Sequence, residues 1–229
     1  MDCCFYEVVS AIRFEKDVPM REVQSGLAGL SSQAMTFDEQ LKTMHHQNRY
    51  KPYVFCAPYP LEPDRIYRKE RMYCFHLRTR DLGFASAMKA YLPRAKGIAK
   101  VISIELRSYL QTHINELISL TPIISTLNNR CWMPENGIGL LADRIQMNAV
   151  KKCKAQDVSF VEPDELFFER IDLLNRKPVI VSYKGTSLLG HKVRLAVKPN
   201  AWAQRLAFIA LSGGVCEKNA IGFGYCLAK

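Results

Sequence analysis

The chain ends in a run of glycines whose spacing could form a binding site for an anion. Four glycines lie between Gly213 and Gly224 and bracket the charged pair Glu217-Lys218. Glycine adopts positive φ without strain, and successive backbone N–H groups in such a run can form a concavity that binds phosphate. Because the chain has a net charge of +10, the backbone of a nucleic acid is the anion that we expect.

The cysteines and the spacing of the glycines argue against a metal site and against a nucleotide-binding enzyme. The eight cysteines show no C-x-x-C spacing and no clustered histidines, so we expect free thiols, no metal and no cofactor. The glycine run lacks both the P-loop and the dinucleotide-binding spacing, and it follows a helical pattern and precedes a strand. A small-molecule enzyme that binds a nucleotide phosphate is therefore disfavoured.

Composition favours a folded protein of one large domain or two smaller ones. The chain has 229 residues, of which 48% are hydrophobic and 24% are charged. No apolar stretch reaches the ~18 residues that a membrane-spanning helix needs. The first residues also lack the basic and apolar regions of a signal peptide. We therefore expect a cytoplasmic protein without a membrane partner.

Hydrophobic periodicity in the first half predicts the order β-α-β-β-α-β. The predicted elements are strands over 5–14, 52–57, 71–79 and 101–106, and helices over 20–35 and 82–91. Thr36 and Glu39 predict a capping box for a further short helix that ends near His45-His46. The alternation over 71–79 directs Tyr73, Phe75 and Leu77 to a buried face.

A second unit of the same kind follows. Its predicted elements are strands over 121–125, 166–174, 178–183, 192–197 and 222–228, a helix through 140–154, and a helix from N-cap Asn200 to a terminal Gly213. Together the halves predict an α+β protein with two tandem ferredoxin-like (RRM-like) domains and antiparallel sheets, over residues 1–118 and 119–229. No RNP motif is present, so stacking of single-stranded RNA on the sheet is not predicted.

Three local features, ordered along the chain, resemble those of a known family. They are the run Gly214 to Gly224, with Cys216 at a position that prefers glycine, His45 six residues before the strand-like run 51–56, and the tripeptide Thr121-Pro122-Ile123. In this order and spacing they resemble the CRISPR-associated repeat-cleaving endoribonucleases, the Cas-six family of the RAMP superfamily. The resemblance spans both halves of the chain.

The resemblance implies a function and a partner. Proteins of this family bind the repeat of a precursor CRISPR RNA and cut it without a metal. A 2′-hydroxyl attacks the adjacent phosphate and leaves a 2′,3′-cyclic phosphate and a 5′-hydroxyl. CRISPR repeat RNA is thus the expected partner, and both a homodimer and association with other subunits of a CRISPR effector complex are compatible with the resemblance.

The resemblance also implies the catalytic residues. His45 corresponds to the general acid or base, with the adjacent His46 as the alternative, and Lys51 corresponds to the cation that stabilises charge on the phosphate. The end of a helix should raise the pKa of His45 and nearby cations should lower it, and the sequence leaves the balance open.

One departure from the family keeps a second interpretation open. Some members use a tyrosine about fifteen residues before the histidine, where this chain has Leu30 and Ser31. Tyr50 or a second histidine could replace that tyrosine. Alternatively the chain could be a non-catalytic RAMP subunit that holds CRISPR RNA without cutting it.

Three segments are candidates for RNA binding. Residues 65–71 mix basic and aromatic side chains, residues 183–194 read as a hairpin with basic tips, and the terminal loop carries a lysine among glycines. The predicted RNA-binding residues are Arg65, Arg68, Lys69, Lys184, Lys192, Arg194, Gly214, Lys218, Gly222 and Gly224.

Overall fold

The computed structural model describes residues 4–47 and 50–229, and in these ranges the chain forms fourteen strands and five α-helices. The strands are β1 Cys4–Phe14, β2 Val18–Pro19, β3 Tyr53–Phe55, β4 Ile66–Tyr67, β5 Met72–Thr79, β6 Ala99–Leu110, β7 Glu116–Ser119, β8 Thr126–Leu127, β9 Arg130–Cys131, β10 Phe168–Leu173, β11 Val179–Tyr183, β12 Thr186–Gly190, β13 Val193–Val197 and β14 Cys226–Ala228. The helices are α1 Met20–Met35, α2 Glu39–His46, α3 Leu82–Tyr91, α4 Ile138–Lys154 and α5 Ala201–Gly213, with short 3₁₀ turns at Leu92–Arg94, Pro134–Asn136 and Asn219–Ile221.

The first half forms a four-stranded antiparallel sheet in the order β3-β5-β1-β6. Along β5, Tyr73, Phe75 and Leu77 are buried, as the alternation predicts, and they join α1 and α3 in one hydrophobic core. The predicted β-α-β-β-α-β order of the first half is confirmed, with α2 as an addition between α1 and β3.

The second half repeats this topology. Its sheet has the order β10-β13-β7-β14, which is the same arrangement of first, second, third and fourth strands as in the first sheet. Two hairpins are inserted, β8–β9 before α4 and β11–β12 between β10 and β13. The predicted α+β fold with two ferredoxin-like domains and antiparallel sheets is confirmed.

Two helix ends differ from the prediction. The side chain of Asp38, rather than that of Thr36, caps α2 by accepting from the backbone N–H groups of residues 40 and 41. Thr36 instead follows α1, and its hydroxyl donates to the carbonyl of Gln33. Gly213, predicted to terminate the last helix, is instead the last residue of α5. The glycine with positive φ is the next residue, Gly214.

The start of the second sheet also differs. Its first strand is β7, whereas the predicted strand over 121–125 makes only isolated bridges, from Ile123 to His191 and from Ile124 to Glu217. The chain leaves the first sheet at Leu110 and enters the second at Glu116, so the predicted boundary after residue 118 falls inside β7.

Helix α5 lies between the two domains. It is apolar on nearly every side, since it packs both on its own sheet and against the first sheet, where Phe208 lies 5.7 Å from Phe5 between ring centroids. In residues 4–47 and 50–229 no helix has the combined length and apolarity to cross a membrane.

A buried ionic network joins the domains beside α5. The guanidinium of Arg78 donates to Glu7 at 2.7 Å and to the carbonyl of Cys226 at 2.7 Å, and it lies 4.2 Å from the ring centroid of Tyr225. The hydroxyl of Tyr225 donates to the same carboxylate at 2.7 Å. Arg78 alternates along β5 with the core residues Tyr73, Phe75 and Leu77, and the second domain buries it on the other face of the sheet.

Candidate active site

The short helix α2 places His45 at its last turn. Asp38 caps the start of the helix, and Gln47 follows its last residue in an extended conformation. The side chain of His45 is half-buried and that of His46 is exposed, with 5.5 Å between the two ring centroids. The prediction that this helix ends at the histidine pair is confirmed.

The electrostatic balance at His45 favours the neutral imidazole. Burial lowers its pKa below the ordinary value of 6.5, and the positive charges of Lys51, His46 and Lys184 lower it further. Its Nδ1 is buried and finds no hydrogen-bond partner within the described part of the chain. The sequence left this balance open, and the structure decides it in favour of the cations and of burial.

Two of those cations come from different domains. Lys51 precedes β3 of the first domain and is half-buried, whereas Lys184 is exposed at the tip of the β11–β12 hairpin of the second. The hairpin packs on α1, and Tyr183 contacts the first-domain core. The charges of Lys51 and Lys184 therefore both act on His45, and sequence reasoning assigned only His45 and Lys51 of these three residues to catalysis.

The helix position at which the family resemblance leads one to expect a tyrosine lies in α1. Leu30 and Ser31, at its predicted register, are both fully buried in α1. The Tyr50 hydroxyl lies against Gly213, and its ring lies 5.9 Å from Lys152 Nζ. Burial raises the pKa of Tyr50 to about 12, so this phenol packs into the domain junction as a neutral group.

The terminal glycine loop turns its carbonyl groups towards an internal cation. Lys152 on α4 is buried, and its ammonium donates to the carbonyls of Gly214 at 2.5 Å and Cys216 at 2.9 Å and to the side chain of Asn219 at 2.6 Å. Burial lowers the pKa of Lys152 to about 8. The sequence indicated a loop that binds an anion through N–H groups, whereas three of its oxygens hold a lysine.

The predicted RNA-binding residues of this loop are mostly enclosed by protein. Gly214, Gly222 and Gly224 are buried with positive φ, and the carbonyl of Gly222 accepts from Gln24 of α1 at 2.6 Å. Lys218 alone of these residues is exposed, in the left-handed conformation with φ of 59°. RNA contact by the loop stays a prediction, and Lys218 is the side chain available for it.

Sequence reasoning missed Lys152, although a signal was present. It lies seven residues after Ile145 and three after Ala149, and both belong to the buried face of α4. Helical spacing therefore directs the side chain at 152 into the core. Its neighbours Lys151 and Lys154 are exposed.

The basic tract over 65–71 is largely compensated by acids. Arg68 forms ion pairs with Asp17, at 2.9 Å, and with Asp64, and Arg71 pairs with Glu62 at 2.9 Å. Arg65 and Lys69 remain exposed. The predicted RNA contacts of Arg65, Arg68 and Lys69 stay predictions, and Arg68 would have to exchange its carboxylates for a phosphate.

The basic residues beyond the hairpin lie closer to the protein interior. Lys192 and Arg194 are half-buried, and burial lowers the pKa of Lys192. His191 is buried with its ring 5.4 Å from that of Trp132, so it is a packing residue. RNA binding by Lys192 and Arg194 stays a prediction. In the described ranges no cluster of three or more His, Cys, Asp or Glu side chains could hold a metal ion.

Comparison with known proteins identifies the fold. No protein-family model and no curated protein matches the chain. Among solved structures, a CRISPR-associated protein Cas6 superposes with a TM-score of 0.72 at 16% identity, covering 98% of this chain and 99% of that one. A RAMP protein that binds different RNA substrates gives 0.69 at 13% identity, covering 99% of both chains.

A Cas6 of Thermus thermophilus, in a complex with its product, gives a TM-score of 0.61 at 17% identity, covering 99% of this chain and 100% of that one. These alignments run through both domains. They include the half that carries His45 and the half that carries the glycine loop. The chain has the fold of the Cas6 and RAMP structures over its whole length.

Proposed function

We propose that this protein is an endoribonuclease that binds the repeat of a precursor CRISPR RNA and cuts it without a metal ion. The observation that carries the proposal is the meeting of a neutral, half-buried His45 with cations from both domains. The Cas6-type fold, in which a relative has been captured with its product, supports CRISPR RNA processing as the reaction.

The chemistry follows from the state of His45. A neutral imidazole can accept a proton, and since Nδ1 is buried, Nε2 is the nitrogen that would take the proton from the 2′-hydroxyl. The 2′ oxygen then bonds to phosphorus, the bond from phosphorus to the 5′ oxygen breaks, and the 5′ oxygen takes up a proton from solvent. The products are a 2′,3′-cyclic phosphate and a 5′-hydroxyl.

Lys51 would serve the same step electrostatically. Negative charge builds up on the phosphate in the transition state, and a fixed cation that faces it lowers the barrier. In the described part of the chain no carboxylate forms an ion pair with Lys51, so its ammonium is available for a phosphate. His46 is exposed at the same end of α2 and is the alternative base.

Incubation of a repeat RNA with the protein in EDTA tests the proposal. The RNA is taken from the CRISPR array of the same genome, and binding and cleavage are measured on the same samples. We expect one cut per repeat in EDTA, and His45→Ala should slow it by about 10²–10⁴-fold, the usual contribution of a general base. His46→Ala distinguishes the two histidines, since it should cut at nearly the rate of the wild type if His45 is the base.

Two results would contradict the proposal in different ways. Tight binding without any cleavage would exclude the nuclease. Cleavage that survives both His45→Ala and the double replacement of His45 and His46 would leave a nuclease with its site elsewhere.

A second candidate function is a RAMP subunit that binds CRISPR RNA without cutting it. One observation favours it, the replacement of the helix tyrosine by the buried residues Leu30 and Ser31. In that case we expect the repeat RNA to bind with a strong dependence on salt, to stay intact, and to bind equally well to His45→Ala.

A further inference from the structure

The tip of the β11–β12 hairpin has a lysine at a position where the backbone conformation disfavours it. Tyr183 pairs with Thr186, so Lys184 and Gly185 form a two-residue turn, with φ of 48° and 76°. Such a turn favours asparagine or glycine at its first position, because a side chain with a Cβ is strained at positive φ. A lysine occupies the strained position here, and breaks of a local rule are concentrated at functional sites.

The hairpin is docked, so its tip has a defined place. Strand β11 packs along α1, and Tyr183 joins the hydrophobic core of the first domain. The Lys184 ammonium lies 5.7 Å from the centroid of the Tyr183 ring. The same core contains Tyr53, which is the second residue after Lys51. These contacts place Lys184 beside the start of β3.

A groove of about 610 Å³ opens beside this tip and is shared by both domains. Its walls come from the turn that precedes α1, from the first half of α1, and from Ser182, Lys184 and Gly185 of the hairpin. The volume is in the range of ligand sites. Lys184 therefore lies at the rim of this groove, together with Asp17 and Glu22, and the core beneath Tyr183 also packs against Met44 of α2, the residue before His45. Lys184 has no ion-pair partner in residues 4–47 and 50–229, in contrast to Arg68.

We propose that Lys184 is a catalytic residue of the same site, which contacts the scissile phosphate opposite Lys51 and thereby makes the active site a product of both domains. The proposal rests on the proposed function. It assigns to the second domain a role in the reaction itself, where sequence reasoning gave this lysine a role in RNA binding alone.

Lys51 and Lys184 would contact the phosphate from different domains. Lys51 reaches the phosphate from the first domain and Lys184 from the second, so the phosphate is held between them. Burial is the main cause that lowers the pKa of His45, and the charges of Lys51 and Lys184 lower it further, which favours the neutral imidazole. Lys184 thus stabilises the charge of the transition state and also preserves the base that starts the reaction.

Lys184→Asn tests this role without damage to the turn. Asparagine suits the first position of a two-residue hairpin turn better than lysine does, so the hairpin should keep its shape. We expect single-turnover cleavage of repeat RNA to fall by about 10²-fold, the usual effect of one lost transition-state donor. Binding should weaken much less, and Lys184→Arg should restore most of the rate.

Lys177→Asn is the matched control, because Lys177 is an exposed lysine at the opposite end of the same hairpin region. It should leave the cleavage rate nearly unchanged. If Lys184→Asn and Lys177→Asn change binding equally and leave the rate of bound RNA unaltered, Lys184 is only an RNA contact and the proposal is wrong.

A measurement on the protein alone separates this proposal from the proposed function. An NMR titration of His45 should show a higher pKa in Lys184→Asn than in the wild type, and no change in Lys177→Asn. A wild type that binds but does not cut would exclude the nuclease and, with it, a catalytic Lys184, even if the titration still moved. A wild type that cuts while the pKa and rate are unaffected by Lys184→Asn would overturn this inference alone.

Discussion

At the scale of single residues, the proposed reaction depends on the protonation state of His45. A general base must be neutral, so activity should be lost as the pH falls through the pKa of its imidazole. Burial and three cations hold that pKa below 6.5. Single-turnover cleavage should therefore be constant above about pH 7 and should fall about tenfold per pH unit below the pKa.

Lys51→Met tests the same electrostatic argument. Removal of one cation stabilises protonated His45, so the midpoint of the pH–rate profile should move to higher pH, in addition to a fall in the plateau rate. The plateau rate measures how far Lys51 stabilises the charge on the phosphate. The midpoint measures how strongly the charge of Lys51 acts on the pKa of His45. A midpoint that stays in place would show that the charge of Lys51 does not act on the base.

Sequence reasoning reached some of these residues and not others for a physical reason. His45 and Lys51 lie six residues apart and were found by register, whereas Lys184 meets them only because a distant hairpin docks on α1. Local patterns contain no information on such docking. The contribution of burial to the pKa of His45 has the same origin, since it depends on the residues that cover the end of α2.

At the scale of elements, the glycine loop surrounds the buried side chain of Lys152 and accepts its hydrogen bonds. Lys152→Met would leave buried oxygens of residues 214, 216 and 219 without a donor. Each buried acceptor that is left unpaired costs about 1–3 kcal/mol, so we expect a loss of about 3 kcal/mol in the free energy of unfolding. Lys151→Met, at an exposed neighbour, should change it by less than about 0.5 kcal/mol.

Urea unfolding of the two variants measures the difference. Equal stabilities for Lys152→Met and Lys151→Met would contradict the role assigned to the buried lysine. Cleavage assays on the same proteins show whether the loop also serves the reaction. We expect RNA binding to weaken in Lys152→Met, because the loop that presents Lys218 loses its internal support.

The elements themselves were largely predictable. The bounds of α1 and the buried face of β5 follow from spacing alone, because each buries one continuous side. The cap of α2 was misplaced because Thr36 and Asp38 are both good capping residues two positions apart. The interaction of the Thr36 hydroxyl with Gln33 of α1 decided between them.

At the scale of the whole molecule, the two domains are held by a charged junction. Burial opposes the ionisation of Glu7, but hydrogen bonds from His76 and Tyr225 and the charge of Arg78 outweigh it and lower the pKa of Glu7 to about 2. A depressed pKa means that this stabilisation is complete above about pH 4.5. It is lost as the pH falls from there towards 2.

Glu7→Gln should therefore destabilise the protein at pH 7, by about 3–5 kcal/mol, because it leaves Arg78 buried without its carboxylate. The difference between wild type and variant should shrink below pH 4.5. Glu105→Gln breaks an exposed pair with Arg107 and should cost at most about 1 kcal/mol. Denaturant unfolding at pH 7 and pH 3 checks both, and a difference that grows in acid would contradict the assignment.

The junction matters for function because it sets the distance between the two halves of the proposed site. If Lys184 acts on the phosphate that His45 and Lys51 also approach, any loosening of the domains should lower the cleavage rate more than RNA binding. Glu7→Gln, assayed at a temperature where it remains folded, should show this pattern although residue 7 is remote from the proposed chemistry.

The most direct test of the central claim is the chemistry of the products. A repeat RNA and the same RNA with a single 2′-deoxyribose at the cleaved position are incubated with the protein in EDTA, and the fragments are weighed by mass spectrometry. We expect a 2′,3′-cyclic phosphate and a 5′-hydroxyl from the RNA, and a deoxy-substituted strand that binds but stays intact. Cleavage of the deoxy-substituted strand, or a 5′-phosphate on the product, would contradict attack by the 2′-hydroxyl at His45.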